Sequence, residues 1–143
     1  MEVCFYKGNV EDLLLVEQDD DKEILKKKDL EYELNENPVS KILVIKENNQ
    51  ILGYLDYWIT FDSSTIFKII IKKEFRSKGY ASILLNTCIE DLKKNEVLYL
   101  TLEVRKSNEN AIKLYKKFNF KEITIKEKYY NDGEDAIYMV RGI

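Results

Sequence analysis

The feature that most constrains this chain is the spacing of its apolar residues, which switches between strand and helix periods along the second half. Residues 65–71 read as a strand, and beyond Gly79 the residues Ile83, Leu84, Leu85, Cys88, Ile89 and Leu92 recur at intervals of three and four, predicting an amphipathic helix to about Lys94. Residues 97–105 then alternate. Leu98, Leu100, Leu102 and Val104 point one way, and Tyr99, Thr101, Glu103 and Arg105 the other. Ala111, Leu114, Tyr115 and Phe118 share one face of a further helix, which Ser107 or Asn108 can cap and Asn119 can end in a left-handed conformation.

The first half reads as helices followed by a hairpin. Asn9 can cap a helix to about Glu17, and Ile24, Leu25, Leu30 and Leu34 extend a helical pattern over residues 21–35, closed by Asn37-Pro38. Residues 41–47 and 50–60 form a hairpin about an Asn48-Asn49 turn, with a polar turn at 62–64 leading into the next strand. Two last strands, about 121–129 and 135–141, flank a turn at residues 131–133. The expected fold is α/β (α+β): a mixed, mostly antiparallel sheet of about six to seven strands, with helices on both faces. At 143 residues, one domain over the whole chain is expected.

Composition narrows the chemistry more than the fold. There is no histidine, which removes Ser/His and Cys/His nucleophilic systems and every histidine-containing metal site. Proton transfer must use Glu, Asp, Tyr, Lys or Cys, and no metal is expected. A net charge of -3 lacks the basic footprint of a nucleic-acid binder, although Lys72, Lys73, Arg76 and Lys78 form a local basic run. No stretch approaches the roughly 20 apolar residues of a membrane span, so no membrane partner and a cytoplasmic location are expected. Cys4 and Cys88 fall in apolar patterns and read as free thiols, which suits a reducing compartment.

The segment Arg76-Ser77-Lys78-Gly79-Tyr80-Ala81-Ser82 joins a strand to a helix start, where backbone N–H groups without helical partners meet the positive end of the macrodipole. Such a turn can hold phosphate, with Gly79 allowing close approach and Arg76 and Lys78 adding charge. A capped helix with basic neighbours would look similar.

Three further stretches join this one in a recognisable order. Leu102-Glu103-Val104-Arg105, then Ser107-Asn108, then Ala111-Ile112-Lys113-Leu114-Tyr115 with Phe118-Asn119-Phe120 follow the Arg76-x-x-Gly79-x-Ala81 turn. Together they resemble the GNAT superfamily of acyl-CoA-dependent acetyltransferases over nearly the whole chain. Within it, Tyr129-Tyr130 and residues 132–136 look most like protein N-terminal acetyltransferases, the ribosomal-protein-alanine N-acetyltransferases in particular.

The resemblance implies a GNAT fold and transfer of an acetyl group from acetyl-CoA to an amine, most simply the N-terminal α-amine of a protein such as a ribosomal protein, in a monomer or weak dimer. It implies that the backbone of Ile69, Ile70 and Ile71 pairs with the pantetheine arm, with the Ile71 amide facing the thioester oxygen. Arg76, Ser77, Lys78, Gly79, Tyr80, Ala81 and Ser82 would cradle the pyrophosphate, and Asn108 would contact the arm. Glu103 would accept a proton from the incoming ammonium, directly or through water, and Tyr115 would contact the cofactor near its sulfur and protonate the leaving thiolate. Tyr129 and Tyr130 would line the peptide entrance. Aminolysis of a thioester needs a neutral amine and a protonated leaving group, so without histidine a carboxylate and a phenol are suitable.

Each assignment has a structural competitor. Glu103 could be a strand-face carboxylate paired with Arg105 or Lys68, Tyr115 could be core, and Tyr129 and Tyr130 could be strand aromatics covering a sheet edge. The acidic run from Glu17 to Asp21 reads as a solvated loop. Where the N-terminal acetyltransferases usually carry aromatic and proline residues between their first two helices, this chain carries Val16-Glu17-Gln18-Asp19-Asp20-Asp21-Lys22. An acidic entrance leaves lysine side chains, polyamines or aminoglycosides as alternative acceptors, and a non-catalytic acyl-CoA-binding module as a further alternative.

Overall fold

A computed structural model describes all residues, Met1–Ile143. Seven strands form one sheet: β1 Glu2–Phe5, β2 Ser40–Glu47, β3 Gln50–Thr60, β4 Ser63–Ile71, β5 Tyr99–Arg105, β6 Lys121–Lys126 and β7 Ala136–Gly142. Their spatial order is β1-β2-β3-β4-β5-β7-β6. Every neighbouring pair is antiparallel except β4 and β5. Helices α1 Val10–Glu17, α2 Lys27–Asn35, α3 Tyr80–Lys94 and α4 Glu109–Lys117 cover it.

Period-two alternation divides the sheet between two apolar layers. Ile42 and Val44 of β2 join Tyr54 and Ile70 under α1 and α2, where Val10, Leu13, Val16 and Leu30 close the layer. Leu43 and Ile45 point the other way and meet Leu84, Leu85, Cys88 and Leu92 of α3, together with Tyr115 of α4. Polar ties fix the docking of α3, since Tyr57 donates its hydroxyl to Asp91 at 2.6 Å and Lys41 reaches the same oxygen at 2.9 Å. Both cysteines are free, as expected. No helix is long and apolar enough to cross a membrane.

Several boundaries differ from the sequence expectation, each for a local reason. β1 carries no periodic signal in the sequence; four residues are too few to display one, and pairing with β2 makes the strand. The helix expected over 21–35 begins only at Lys27. The Asp20 carboxylate instead accepts from the N–H groups of Lys22 and Glu23, and Glu17 accepts from Leu25 N–H, so side chains satisfy backbone that a helix would have used. The turn after β3 centres on Phe61 and Asp62, with Phe61 at φ 57, and Ser63 already lies in β4. Leu98 precedes β5 and is exposed rather than joining Leu100, Leu102 and Val104. β6 stops at Lys126 because Lys128 takes φ 50, so Tyr129 and Tyr130 belong to a loop and not to a strand. Asn48, Asn49 and Asn119 adopt the left-handed backbone expected of them.

Candidate functional site

The site begins where two strands part. β4 and β5 pair in parallel only between residues 63–65 and 99–101, after which no ladder bonds join them. From that point β4 offers its far half, Ile66 to Ile71, to an open gap. Lys72 N–H donates to the Leu52 carbonyl at 2.8 Å, so by the alternation of an antiparallel ladder Ile70 turns its N–H toward β3. The amides of Ile69 and Ile71 therefore face the gap. Gly53 on β3 lets β4 approach closely, since a Cβ there would lie 2.4 Å from Ile71 Cδ1 and 2.6 Å from the Ile70 carbonyl oxygen.

At the end of β4 the chain forms a short 3-10 turn, Lys73–Phe75, and enters α3 through the segment singled out in the sequence. Ser77 and Gly79 both take positive φ, at 62° and 87°. None of the backbone N–H groups of residues 77–82 donates a hydrogen bond within the protein. A Cβ built on Gly79 would meet nothing within 4 Å. A row of unpartnered donors beside open space, at a helix N-terminus, suits the oxygens of a diphosphate.

The two cations expected to add charge to this turn are both engaged within the protein. Arg76 donates through Nε to the Ile71 carbonyl at 2.8 Å and through Nη2 to the Asp19 carbonyl at 2.9 Å, tying the turn to the loop after α1. Lys78 Nζ lies 5.6 Å from the centroid of the Phe75 ring. The free donors of this turn are thus backbone N–H groups more than side-chain charge.

Two cavities meet across the gap. One, of about 720 Å³, runs along Ile69, Ile70, Ile71 and residues 76–77 and 79–82 to α4. The other, of about 890 Å³, is walled by Glu103, Arg105, Tyr129, Tyr130, Trp58 and Phe67. Asn108, Ala111 and Tyr115 line both. Asn108 caps α4, its side-chain oxygen accepting from Ala111 N–H at 3.2 Å, which leaves the amide NH2 without a protein partner.

Tyr115 is only 6% exposed, and its ring stands edge-on to Phe120 at 5.6 Å. Its hydroxyl makes no hydrogen bond within the protein, yet it is not among the fully enclosed polar atoms left without a partner, so it opens into the shared cleft. Burial, and secondarily Tyr130, holds its pKa above the ordinary phenol value and keeps it protonated. The core reading holds for this residue, which also lines both cavities.

Glu103 lies on the face of β5 opposite Leu102 and Val104, as the alternation predicts. Its partner is neither Arg105 nor Lys68 but Lys126, whose Nζ donates to Oε1 at 2.7 Å. That ammonium also lies 4.7 Å from the Tyr138 ring centroid and 5.5 Å from that of Tyr129. A carboxylate with two aromatic faces beside it is a place for a cation.

The acidic run is not a solvated loop. Glu17 is fully buried, accepts from the Tyr54 hydroxyl and sits 3.2 Å from Lys68 Nζ, which also bonds Asp20. Asp19 accepts from Lys73 N–H at 2.9 Å, and Asp21 pairs with Lys73 Nζ at 3.1 Å. The run is a frame that holds the α1–α2 loop against β4 and the turn after it. Sequence reasoning also missed the wall made by Trp58 and Phe67, whose rings stack at 4.8 Å, and Glu33 of α2, which accepts from Trp58 Nε1 at 2.6 Å. The signal was the chain's single tryptophan, standing amid the apolar run of β3. No group of three or more Cys, Asp or Glu side chains is arranged to hold a metal ion.

Residues 9–120 match the acetyltransferase (GNAT) family. A protein of Bacillus subtilis (strain 168) is 40% identical over 109 residues, covering 76% of this chain and 72% of its own. The ribosomal protein bS18-alanine N-acetyltransferase of Haemophilus influenzae is 38% identical over 112 residues, 74% of this chain and 76% of that protein. Among solved structures, the ribosomal-protein-S18-alanine N-acetyltransferase of Escherichia coli superposes with a TM-score of 0.89 at 27% identity, covering 99% of this chain and 94% of that one.

Proposed function

The chain belongs to the GNAT family of acetyltransferases and is an acetyl-CoA-dependent N-acetyltransferase; on that premise we propose that its acceptor is the N-terminal α-amine of a protein, a ribosomal protein in the first instance. The observation that carries the reading is the meeting of the two cavities at Tyr115 and Asn108, with an anion cradle at the far end of one and Glu103 in the wall of the other.

In this reading acetyl-CoA supplies an activated acetyl group as a thioester, and the chain's own residues do the rest. The N–H groups of residues 77–82 bind the diphosphate, with Arg76 and Lys78 supporting the turn. Ile69 and Ile71 offer strand-edge amides to the arm, Ile70 contributes backing rather than a donor, and Asn108 contributes its free amide. Glu103 takes a proton from the acceptor ammonium so that the neutral amine can attack the thioester carbonyl, and as the C–N bond forms and the C–S bond breaks Tyr115, held protonated, gives a proton to the leaving sulfur. Tyr129 and Tyr130 wall the entrance. An α-amine of pKa about 7.8 costs roughly 1 kcal/mol to deprotonate at pH 7, against about 4 to 5 kcal/mol for a lysine. A base with no buried histidine behind it suits the cheaper proton.

The carboxylates that favoured a polycationic acceptor from sequence all have partners inside the protein: Glu17 and Asp20 share Lys68, Asp19 accepts from Lys73 N–H and Asp21 pairs with Lys73 Nζ. Held as a frame for the loop, these side chains are tied to the protein and not offered to a polyamine. Mass spectrometry on three acceptors tests this: a peptide with a free α-amine and an internal lysine, the same peptide blocked at its N-terminus, and spermidine. Acetylation of the first at the α-amine alone is the expected result, and modification of the blocked peptide or of spermidine at comparable rate would overturn it.

A further inference from the structure

Arg105 follows Glu103 by two residues and projects from the same face of β5, but it does a different job. Its guanidinium is gripped from two separate loops. Nη2 bonds Glu23 of the loop between α1 and α2, while Nη1 bonds Asp132 at 2.8 Å and Glu134 at 2.8 Å in the loop between β6 and β7. The group lies 4.1 Å from the centroid of the Tyr130 ring, and that ring in turn meets Tyr129 edge-on at 5.0 Å. The side chain is only 9% exposed, and its buried Nε has no partner, so it is tolerated there for what the other nitrogens hold. Ser107 adds a second tie, its backbone N–H donating to Glu134 at 2.9 Å.

No other side chain bridges these two loops so completely: the one further link is the exposed Lys22 to Glu134, at a long 3.9 Å. Both loops wall the larger cavity, through Glu23 on one side and Tyr130 on the other. The α1–α2 loop is otherwise anchored only on its own side, to β4 and the turn beyond it. Without the guanidinium, three carboxylates would face one another across the mouth of the cavity and part the loops.

We propose that Arg105 is a positioning residue for the acceptor, stapling the α1–α2 loop to the β6–β7 loop and fixing the Tyr130 ring as a wall of the acceptor pocket. This rests on the reading of that pocket as the acceptor site. Arg105 and its three carboxylate partners make no hydrogen bond to residues 76–82 or to Tyr115, so the loss of the staple acts on acceptor binding more than on cofactor binding.

The experiment uses Glu23→Gln, Arg105→Lys and Arg105→Met with two readouts. The first is steady-state kinetics on an α-amine peptide. Glu23→Gln raises the peptide KM about fivefold or more with kcat and the acetyl-CoA KM within twofold; Arg105→Met raises it further, Arg105→Lys falls between, and Glu23→Gln adds nothing in the Arg105→Met background. Unchanged peptide KM, or equal rises in the peptide and acetyl-CoA KM, overturns the proposal. The second is backbone hydrogen exchange in the ligand-free protein, which needs no acceptor. Glu23→Gln, an exposed-side change expected to fold, must speed exchange in residues 127–135, across the cavity from the substitution; no change there defeats the staple. Faster exchange in both loops, in a protein that acetylates no peptide, upholds the staple and strikes the acceptor assignment instead.

Discussion

Glu103 and Tyr115 are separable from the fold that carries them. Glu103 holds only Lys126, at the surface, and the Tyr115 hydroxyl holds nothing, so Glu103→Gln and Tyr115→Phe leave both packing layers intact. Each is expected to keep CoA affinity while lowering turnover by about 10²-fold or more, measured by calorimetric binding beside initial rates. Full turnover in both variants would remove them from the mechanism. A different residue governs stability against pH. Asp56 is fully buried with one carboxylate oxygen unpartnered, and burial, followed by the neighbouring Glu33, pushes its pKa up to about 9. The folded state therefore holds a proton that the unfolded chain releases near pH 4, so this group's contribution to stability is complete below about pH 4 and is lost progressively as pH rises toward 9. Asp56→Asn keeps a neutral donor beside Glu33 and is expected to raise the melting temperature at pH 8 more than at pH 5. An equal change at both pH values would show that Asp56 is not protonated in the fold.

At the scale of elements, two glycines do opposite work. Gly79 has open space where a side chain would go and a φ of 87°, so Gly79→Ala meets no protein atom. Its costs are about 1 kcal/mol or more of backbone strain and a methyl in the cradle, and it should weaken CoA binding far more than it lowers stability. Gly53→Ala collides with the backbone of β4, at a cost of about 1–3 kcal/mol, and displaces Ile71 itself. Melting curves with and without CoA distinguish the two, because Gly79→Ala should lose the ligand-induced shift and Gly53→Ala the baseline. These elements were legible in the sequence where the period was long, as in α3, or where turn chemistry was explicit, as at Asn48-Asn49. β1 is too short to show a period, and the start of α2 was set by competition from the Asp20 and Glu17 side chains, which periodicity does not register. Leu98 fits the alternation of β5 but lies outside it, since only pairing with β7 and β4 defines where the strand begins.

For the molecule as a whole, the motif order carried the fold and singled out the contiguous turn at 76–82, whose amides over 77–82 have no partner within the protein. Beyond Glu103, Tyr129 and Tyr130, the wall of the larger cavity was illegible because it is assembled from distant segments: Trp58 from β3, Phe67 from β4 and Glu23 from the loop between α1 and α2. Ion pairing was misread for the same reason. Lys126 lies far from Glu103 in sequence but beside it across β7, and the acidic run finds Lys68 and Lys73 on β4 and the turn beyond. Ligand binding should register globally, since CoA at about 100 times its dissociation constant adds about 2.7 kcal/mol and so raises the melting temperature by about 5–10 °C. The most direct measurement is a crystal structure with CoA and an α-amine peptide. The account predicts the diphosphate within hydrogen-bond distance of the 77–82 amides, and the sulfur and the peptide's first nitrogen between Tyr115 and Glu103. A diphosphate bound elsewhere, or a peptide nitrogen on the far side of the sheet from Glu103, would contradict it.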